Sequence, residues 1–186
     1  MKKILHLLLL IIFVLPDSIF SLGNDSTNNQ HFDMIKILNK KKITIVITDS
    51  GLGGMSVCAG IENKLNEIKA IGEVNLIYFN SHAEKGAGYN SMPSMEVKAK
   101  VFDSALRSME EKYSPDLILI ACNTLSVVYS HTQFAQVSQT PVLGIVDFGV
   151  SMILSELKDH QNADVIILGT PTTIKSGSHK QKLVDN

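Results

Sequence analysis

"ITIVITDSGLGG", Ile43 to Gly54, decides how this chain is read. Every residue of ITIVIT is β-branched, and the run then stops at a glycine-rich turn. A short, continuous run of this kind bounded by turn residues is the pattern of a strand buried on both faces. A helix-patterned segment follows, from about Met55 to Glu67. The same alternation then repeats. VNLIYF (74–79), DLILIA (116–121), VLGIV (142–146) and DVIILG (164–169) all read as further strands. Between them lie helical stretches. One starts near Ser94, a good N-cap, and lines up Val101, Ala105 and Met109 on one stripe with Phe102 and Leu106 beside it. A second passes through Tyr129 and Phe134, and a third covers about Val150 to Leu157. Apolar strands alternating with helices imply βαβ units, hence an α/β fold with a parallel sheet flanked by helices.

Right-handed crossovers bring every strand's carboxyl end to one edge of such a sheet, and ligands bind along that edge. Three unusual stretches fall there. They are Asp49-Ser50-Gly51 after the first strand, Ser81 to Pro93 after the second, and Cys122-Asn123-Thr124 after the third.

Composition removes several classes of function. The chain has 186 residues, 45% hydrophobic, with a formal net charge of -1. That suffices for one sizeable core with part of a second. Near-neutrality gives no electrostatic case for nucleic acid or an anionic membrane surface. Trp is absent and aromatic residues are few, so no base-stacking platform is expected. Two cysteines, Cys58 and Cys122, are too few for a disulfide scaffold and match no zinc spacing.

The first residues read as targeting rather than fold. Lys2 and Lys3 precede an apolar run from Ile4 to Val14, followed by Pro16, Ser21 and Gly23. This is the order of a secretory signal peptide over residues 1–23, and the run is short of the roughly 20 residues that a membrane helix needs. The expectation is an exported protein, periplasmic or secreted, with no membrane contact after cleavage. The alternative is a membrane anchor formed by an uncleaved signal. Residues 24–42, Asn-rich and ending in Lys40 to Lys42, read as a tether, with a turn or two of helix within Phe32 to Leu38.

At the expected rim, Cys122 stands just before a helix, where N–H groups and the macrodipole favour a thiolate. Asn123 and Thr124 can cap that helix or present donors to a carboxylate. Asp49 can hold an ammonium group or assist proton transfer. The plain alternative for Cys122 is a small buried filler. DSGLGG lacks both the Gly-Lys-Ser/Thr ending and the G-x-G-x-x-G spacing of phosphate loops. Cys58 falls within a helix, where a core role is expected. His82 and Glu84 lie in the long loop, where solvation is the default.

Four stretches, ITIVITDSGLGGMSV, LILIACNTLSVVY, TPVLGIVDFGV and VIILGTPTTIKSGSH, together resemble the aspartate/glutamate racemase superfamily, glutamate racemase in particular. The resemblance runs from Ile43 to about Leu183. It implies two α/β domains with a substrate cleft between them and a cofactor-independent racemase. In that family two cysteines on opposite faces of the substrate remove and return the α-proton. By motif, Cys122 is similar to the first cysteine, with Asp49 and Ser50 as the acid and hydroxyl beside it. Asn123 and Thr124 correspond to substrate-carboxylate donors, and Thr173 to a threonine of the second-domain motif. The implied ligand is glutamate or aspartate, the implied role is supply of D-glutamate for the peptidoglycan of the cell wall, and a homodimer is compatible with it.

The sequence departs from the family pattern in places. The family's Gly-Cys-Thr-His, with its second cysteine, would fall beyond Asn186. The chain is therefore expected to hold a first domain over residues 43–146 and the start of a second over 147–186. Where the family has Pro-Tyr-Gly, this sequence has Gly86-Ala87-Gly88. Gly88 keeps the glycine of that substrate contact, but the tyrosine has no counterpart. Export is also unusual for an enzyme of cytoplasmic precursors. A non-catalytic amino-acid or dicarboxylate-binding domain is the competing reading.

Overall fold

The computed structural model describes residues 36–37, 39–68, 72–83, 88–160 and 163–185. The expected signal peptide and residues 24–35 and 38 of the expected tether lie outside these residues, as do Glu84, Gly86 and Ala87. Lys36 and Ile37, within the expected helical turn, are helical.

Four parallel strands form the sheet: β1 (Lys42–Asp49), β2 (Glu73–Asn80), β3 (Leu117–Ile120) and β4 (Val142–Gly144), in the order β2-β1-β3-β4. Around them run α1 (Gly54–Ile68), α2 (Met95–Tyr113), α3 (Asn123–Tyr129), α4 (Phe134–Val137), α5 (Ile145–Asp159), α6 (Pro171–Ser176) and α7 (Ser178–Asp185). β1 is central and buried continuously from Ile45 to Asp49, which explains why its sequence shows no polar alternation. β2, at an edge, is only partly covered.

Alternate residues of the strands serve two cores. On one face Val46, Ile118 and Ile120 pack against Phe102, Leu106 and Met109 of α2, Leu125 and Val128 of α3, and Phe134 of α4. On the other, Ile43, Ile45, Ile47 and Leu117 meet Cys58 and Ile61 of α1. The right-handed rule requires α1 and α2 on opposite faces, because the chain moves from β1 out to β2 and then back across to β3. They lie so. The strand order therefore reverses between β1 and β3, and their carboxyl ends frame the crevice in which open α/β sheets bind ligands.

Two expectations from sequence need correction. The strand read over 142–146 ends at Gly144, and α5 begins at Ile145 and continues to Asp159. The Ser126 hydroxyl accepts the Ile145 N–H at 3.1 Å and turns the chain there. α5 thus runs without a break through the position expected to divide two domains. DVIILG, read as a fifth strand, forms none. Residues 163–170 have no regular structure, and Ile166 and Leu168 are 83% and 87% exposed. A strand needs a neighbour for its N–H and C=O groups, and among the described residues none lies beside this segment.

The chain after this segment folds back onto α2, α3 and α5. Thr170 caps α6, Pro171 occupies its first turn and Gly177 ends it at φ 66°, so TPTTIKSG spells a complete short helix. Leu183 of α7 packs with Val127, Val146 and Val150 of α3 and α5, and Lys182 pairs with Asp147 at 2.5 Å.

Candidate functional site

The carboxyl ends of β1 and β3 bring Asp49, Ser50 and Cys122 together. Cys122 is the N-cap residue of α3, with extended backbone at φ -135° and ψ 122°. Its carbonyl accepts the Ser126 N–H, while its side chain makes no capping bond. The thiol is left to face β1, where Sγ lies 3.3 Å from Ser50 Oγ. That hydroxyl can donate to a thiolate or accept from a thiol.

Asp49 is only 7% exposed, and its Oδ2 accepts the Gly54 N–H at 2.7 Å. The glycine-rich turn is explained by this contact rather than by phosphate binding. A Cβ on Gly54 would stand 2.8 Å from Asp49 Cβ, 3.1 Å from Ala121 Cβ and 3.2 Å from Tyr78 Cε2. Tyr78 completes the corner by donating to the Gly51 carbonyl at 2.6 Å. Burial first, then the nearby Asp49, Cys122 and Cys58, push the Tyr78 phenol above its ordinary range.

Thr48 of β1 and Ser81, just past the end of β2, share a buried hydrogen bond of 2.6 Å. His82 is exposed, and its Nδ1 lies 3.1 Å from the Ser50 carbonyl. Since the carbonyl can only accept, Nδ1 carries the proton in this contact. His82 thus stands on the same rim as Cys122.

Asn123 is exposed at the rim. Thr124 is not: it is 3% exposed, and its hydroxyl lies 2.8 Å from Thr170 Oγ1 and 3.5 Å from Thr173 Oγ1. Thr170 and Thr173 are themselves 3.0 Å apart. The structure therefore joins two candidates that are 49 residues apart in sequence, and adds Thr170, which the sequence reading missed. Lys98 of α2 donates to Thr172 at 2.9 Å and closes this side. Gly88 is exposed and starts a single 3-10 turn, Tyr89–Ser91.

That turn carries the other missed residue. Tyr89 is 3% exposed, and its ring meets Phe102 edge-on with centroids 6.3 Å apart. Burial, with a contribution from the charge of Cys122, pushes its phenol up to about 12. The sequence looked for a tyrosine before the glycine of this loop, whereas the structure buries the one after it. Cys58, as expected, belongs to the apolar layer beneath α1. Burial and the charge of Glu62 push its thiol up. Among the described residues no group of three or more His, Cys, Asp or Glu could hold a metal ion, and no helix is long and apolar enough to cross a membrane.

The chain as a whole is similar to known proteins. Glutamate racemase from Syntrophus aciditrophicus is 30% identical over 139 residues, covering 75% of this chain and 46% of that protein. Glutamate racemase from Aquifex pyrophilus is 30% identical over 144 residues, covering 75% and 49%. The chain is similar to glutamate racemases over three quarters of its own length. It spans about half the length of the curated relatives it matches. The crystal structure of glutamate racemase from Campylobacter jejuni superposes with a TM-score of 0.62 at 27% identity, covering 77% of this chain and 52% of that one. The parallel α/β architecture is thus shared with a solved racemase. No protein-family model matches the chain.

Proposed function

We propose that this chain carries one side of a racemase-type amino-acid site, with Cys122 as the base that takes the α-proton of glutamate or aspartate. The observation that carries the reading is the 3.3 Å contact between Cys122 Sγ and Ser50 Oγ beside the buried Asp49 carboxylate. In the step proposed, the Cα–H bond breaks, the proton passes to sulfur and the electron pair stays on the substrate as a carbanion. The Ser50 hydroxyl stabilises the thiolate before transfer, and Asp49 meets the substrate's ammonium group. Exposed Asn123 supplies a donor for the α-carboxylate. The weakly acidic α-proton leaves only where oriented donors meet the developing charge in a site shielded from water. No cofactor is needed for this chemistry.

Inversion also needs an acid on the opposite face of the substrate. Cys58 cannot serve, since it sits in α1 among apolar residues on the far side of β1. His82 shares the rim with Cys122 through the Ser50 carbonyl, and so approaches from the same side. With neither Cys58 nor His82 opposite Cys122, exchange of the α-proton with little inversion is the expected outcome for the site described. With Cys122 the one thiol at the rim among the described residues, a second reading is also favoured, a domain that binds the amino acid without turnover.

Ligand protection tests the site. Glutamate or aspartate should slow alkylation of Cys122 and leave Cys58 unaffected, with peptide mapping to separate the two. Equal rates with and without ligand would remove the proposed site.

A further inference from the structure

Ser50 stands one residue beyond the pairing of β1 with β2, which ends at Asp49 and Asn80. Successive carbonyls point to opposite sides along a strand. The Thr48 carbonyl accepts the Ala121 N–H at 2.8 Å on the β3 side, and the Asp49 carbonyl accepts the Ser81 N–H at 2.8 Å on the β2 side. A continued strand would aim the Ser50 carbonyl back towards β3. It is met instead from the β2 side, by His82 Nδ1 at 3.1 Å. The imidazole therefore holds the chain at the point where it leaves the sheet.

His82 is itself held in place. Its backbone N–H donates to Asn80 Oδ1 at 2.9 Å, and its neighbours Ser81 and Ala83 are only 4% and 8% exposed. Ser81 is bonded to Thr48, and Ala83 belongs to the first core. An exposed ring on a backbone pinned at both sides differs from a freely solvated loop residue. On the other side of Ser50, its Oγ lies 3.3 Å from Cys122 Sγ.

We infer that His82 is a positioning residue of the Cys122 site: its Nδ1–H fixes the Ser50 backbone and so keeps the Ser50 hydroxyl beside the sulfur. The inference rests on the proposal that Ser50 and Cys122 work as a pair. Every link is a contact of the structure, from imidazole to carbonyl, through one residue, and from hydroxyl to sulfur. In this role His82 takes no proton from a substrate. What it supplies is one N–H.

That limit sets the test. The amide nitrogen of asparagine, like Nδ1, is bonded directly to Cγ, so His82→Asn keeps a donor at the same place and discards the rest of the ring. His82→Ala removes the donor. Geometry is read first, in chains carrying Ser50→Cys. Oxidised glutathione should join the introduced thiol to Cys122, and peptide mapping gives the rate, with thermal melting to confirm that each variant is folded. Adding His82→Ala should slow this cross-link about three- to ten-fold, the range that one net hydrogen bond is worth. Adding His82→Asn should leave it within about two-fold. Deuterium exchange at Cα of glutamate and aspartate, in chains that keep Ser50, should follow the same order.

A cross-link unaffected by His82→Ala, or slowed as much by His82→Asn, would overturn the role of His82. No cross-link in Ser50→Cys alone would overturn the placement of Ser50 beside Cys122. The expected order of cross-linking without any exchange in the wild type would instead overturn Cys122 as the base, and leave the hold of His82 on Ser50 standing.

Discussion

Replacing Gly54 by alanine asks whether the glycine-rich turn exists for packing against Asp49 or for gripping a ligand with its backbone. The added Cβ would lie 2.8 Å from Asp49 Cβ, 3.1 Å from Ala121 Cβ and 3.2 Å from Tyr78 Cε2. The first distance is far inside van der Waals contact, and all three neighbours belong to the strand ends or follow directly from them. None is the flexible end of a long side chain. Overpacking of this kind costs about 1–3 kcal/mol. Alanine's better helix propensity recovers at most about 1 kcal/mol. With a urea slope of about 1–3 kcal/mol per M, a net loss near 1–2 kcal/mol lowers the unfolding midpoint by roughly 0.5–1 M. Gly51→Ala is the internal control, because a Cβ there meets nothing within 4 Å. It should stay within about 0.5 kcal/mol of the wild type. A displaced Asp49 also draws Ser50 away from Cys122, so Gly54→Ala should slow labelling of that thiol as well. A Gly54→Ala midpoint equal to the wild type, or an equal fall in Gly51→Ala, would refute the packing argument.

Thr173→Val should cost about 1 kcal/mol by breaking the buried hydroxyl cluster with Thr124 and Thr170, and limited proteolysis should then cut sooner within residues 163–185. Asp116 gives a pH dependence. Burial pushes its carboxyl up, but the Lys40 ammonium, the Thr44 N–H at 2.8 Å and the Lys40 charge together hold it below its ordinary value. A depressed folded value means that its stabilisation is complete above the unfolded value of about 4 and is lost as pH falls through the folded one. Asp116→Asn should therefore flatten the acid limb of stability in urea titrations between pH 5 and 2, and a limb unchanged by the substitution would contradict the assignment. Export is proposed from the first 23 residues alone: N-terminal sequencing of the native protein should begin near Leu22 or Asn24, and a product starting at Met1 would count against it.

The sheet was legible because its central strand is covered on both faces, which forces the unbroken β-branched run of Ile43 to Thr48. The same logic failed at DVIILG. That run has the composition of a strand, but strand formation depends on a neighbour, and composition cannot show whether one is present. The rim was legible for a related reason. Asp49, Ser50 and Cys122 each follow directly on a recognisable strand, so topology alone brings them to one edge. Thr124 and Thr173 were marked by resemblance, yet their contact comes from the fold-back of α6, a long-range event with no local sequence signal. Tyr89 was missed for the same reason. Its burial is decided by Phe102 on α2 and by the clamp of Asn90 on Thr172, and the loop's own residues are polar and small.

The account stands on Cys122 as a base acting on an amino-acid α-proton. The direct measurement is deuterium incorporation at Cα of glutamate and aspartate in heavy water, with chiral analysis of the same samples, for the wild-type chain and for Cys122→Ala of matched circular dichroism. The account predicts exchange with little inversion in the wild type and none in Cys122→Ala. Exchange or full racemisation that survives Cys122→Ala would contradict it.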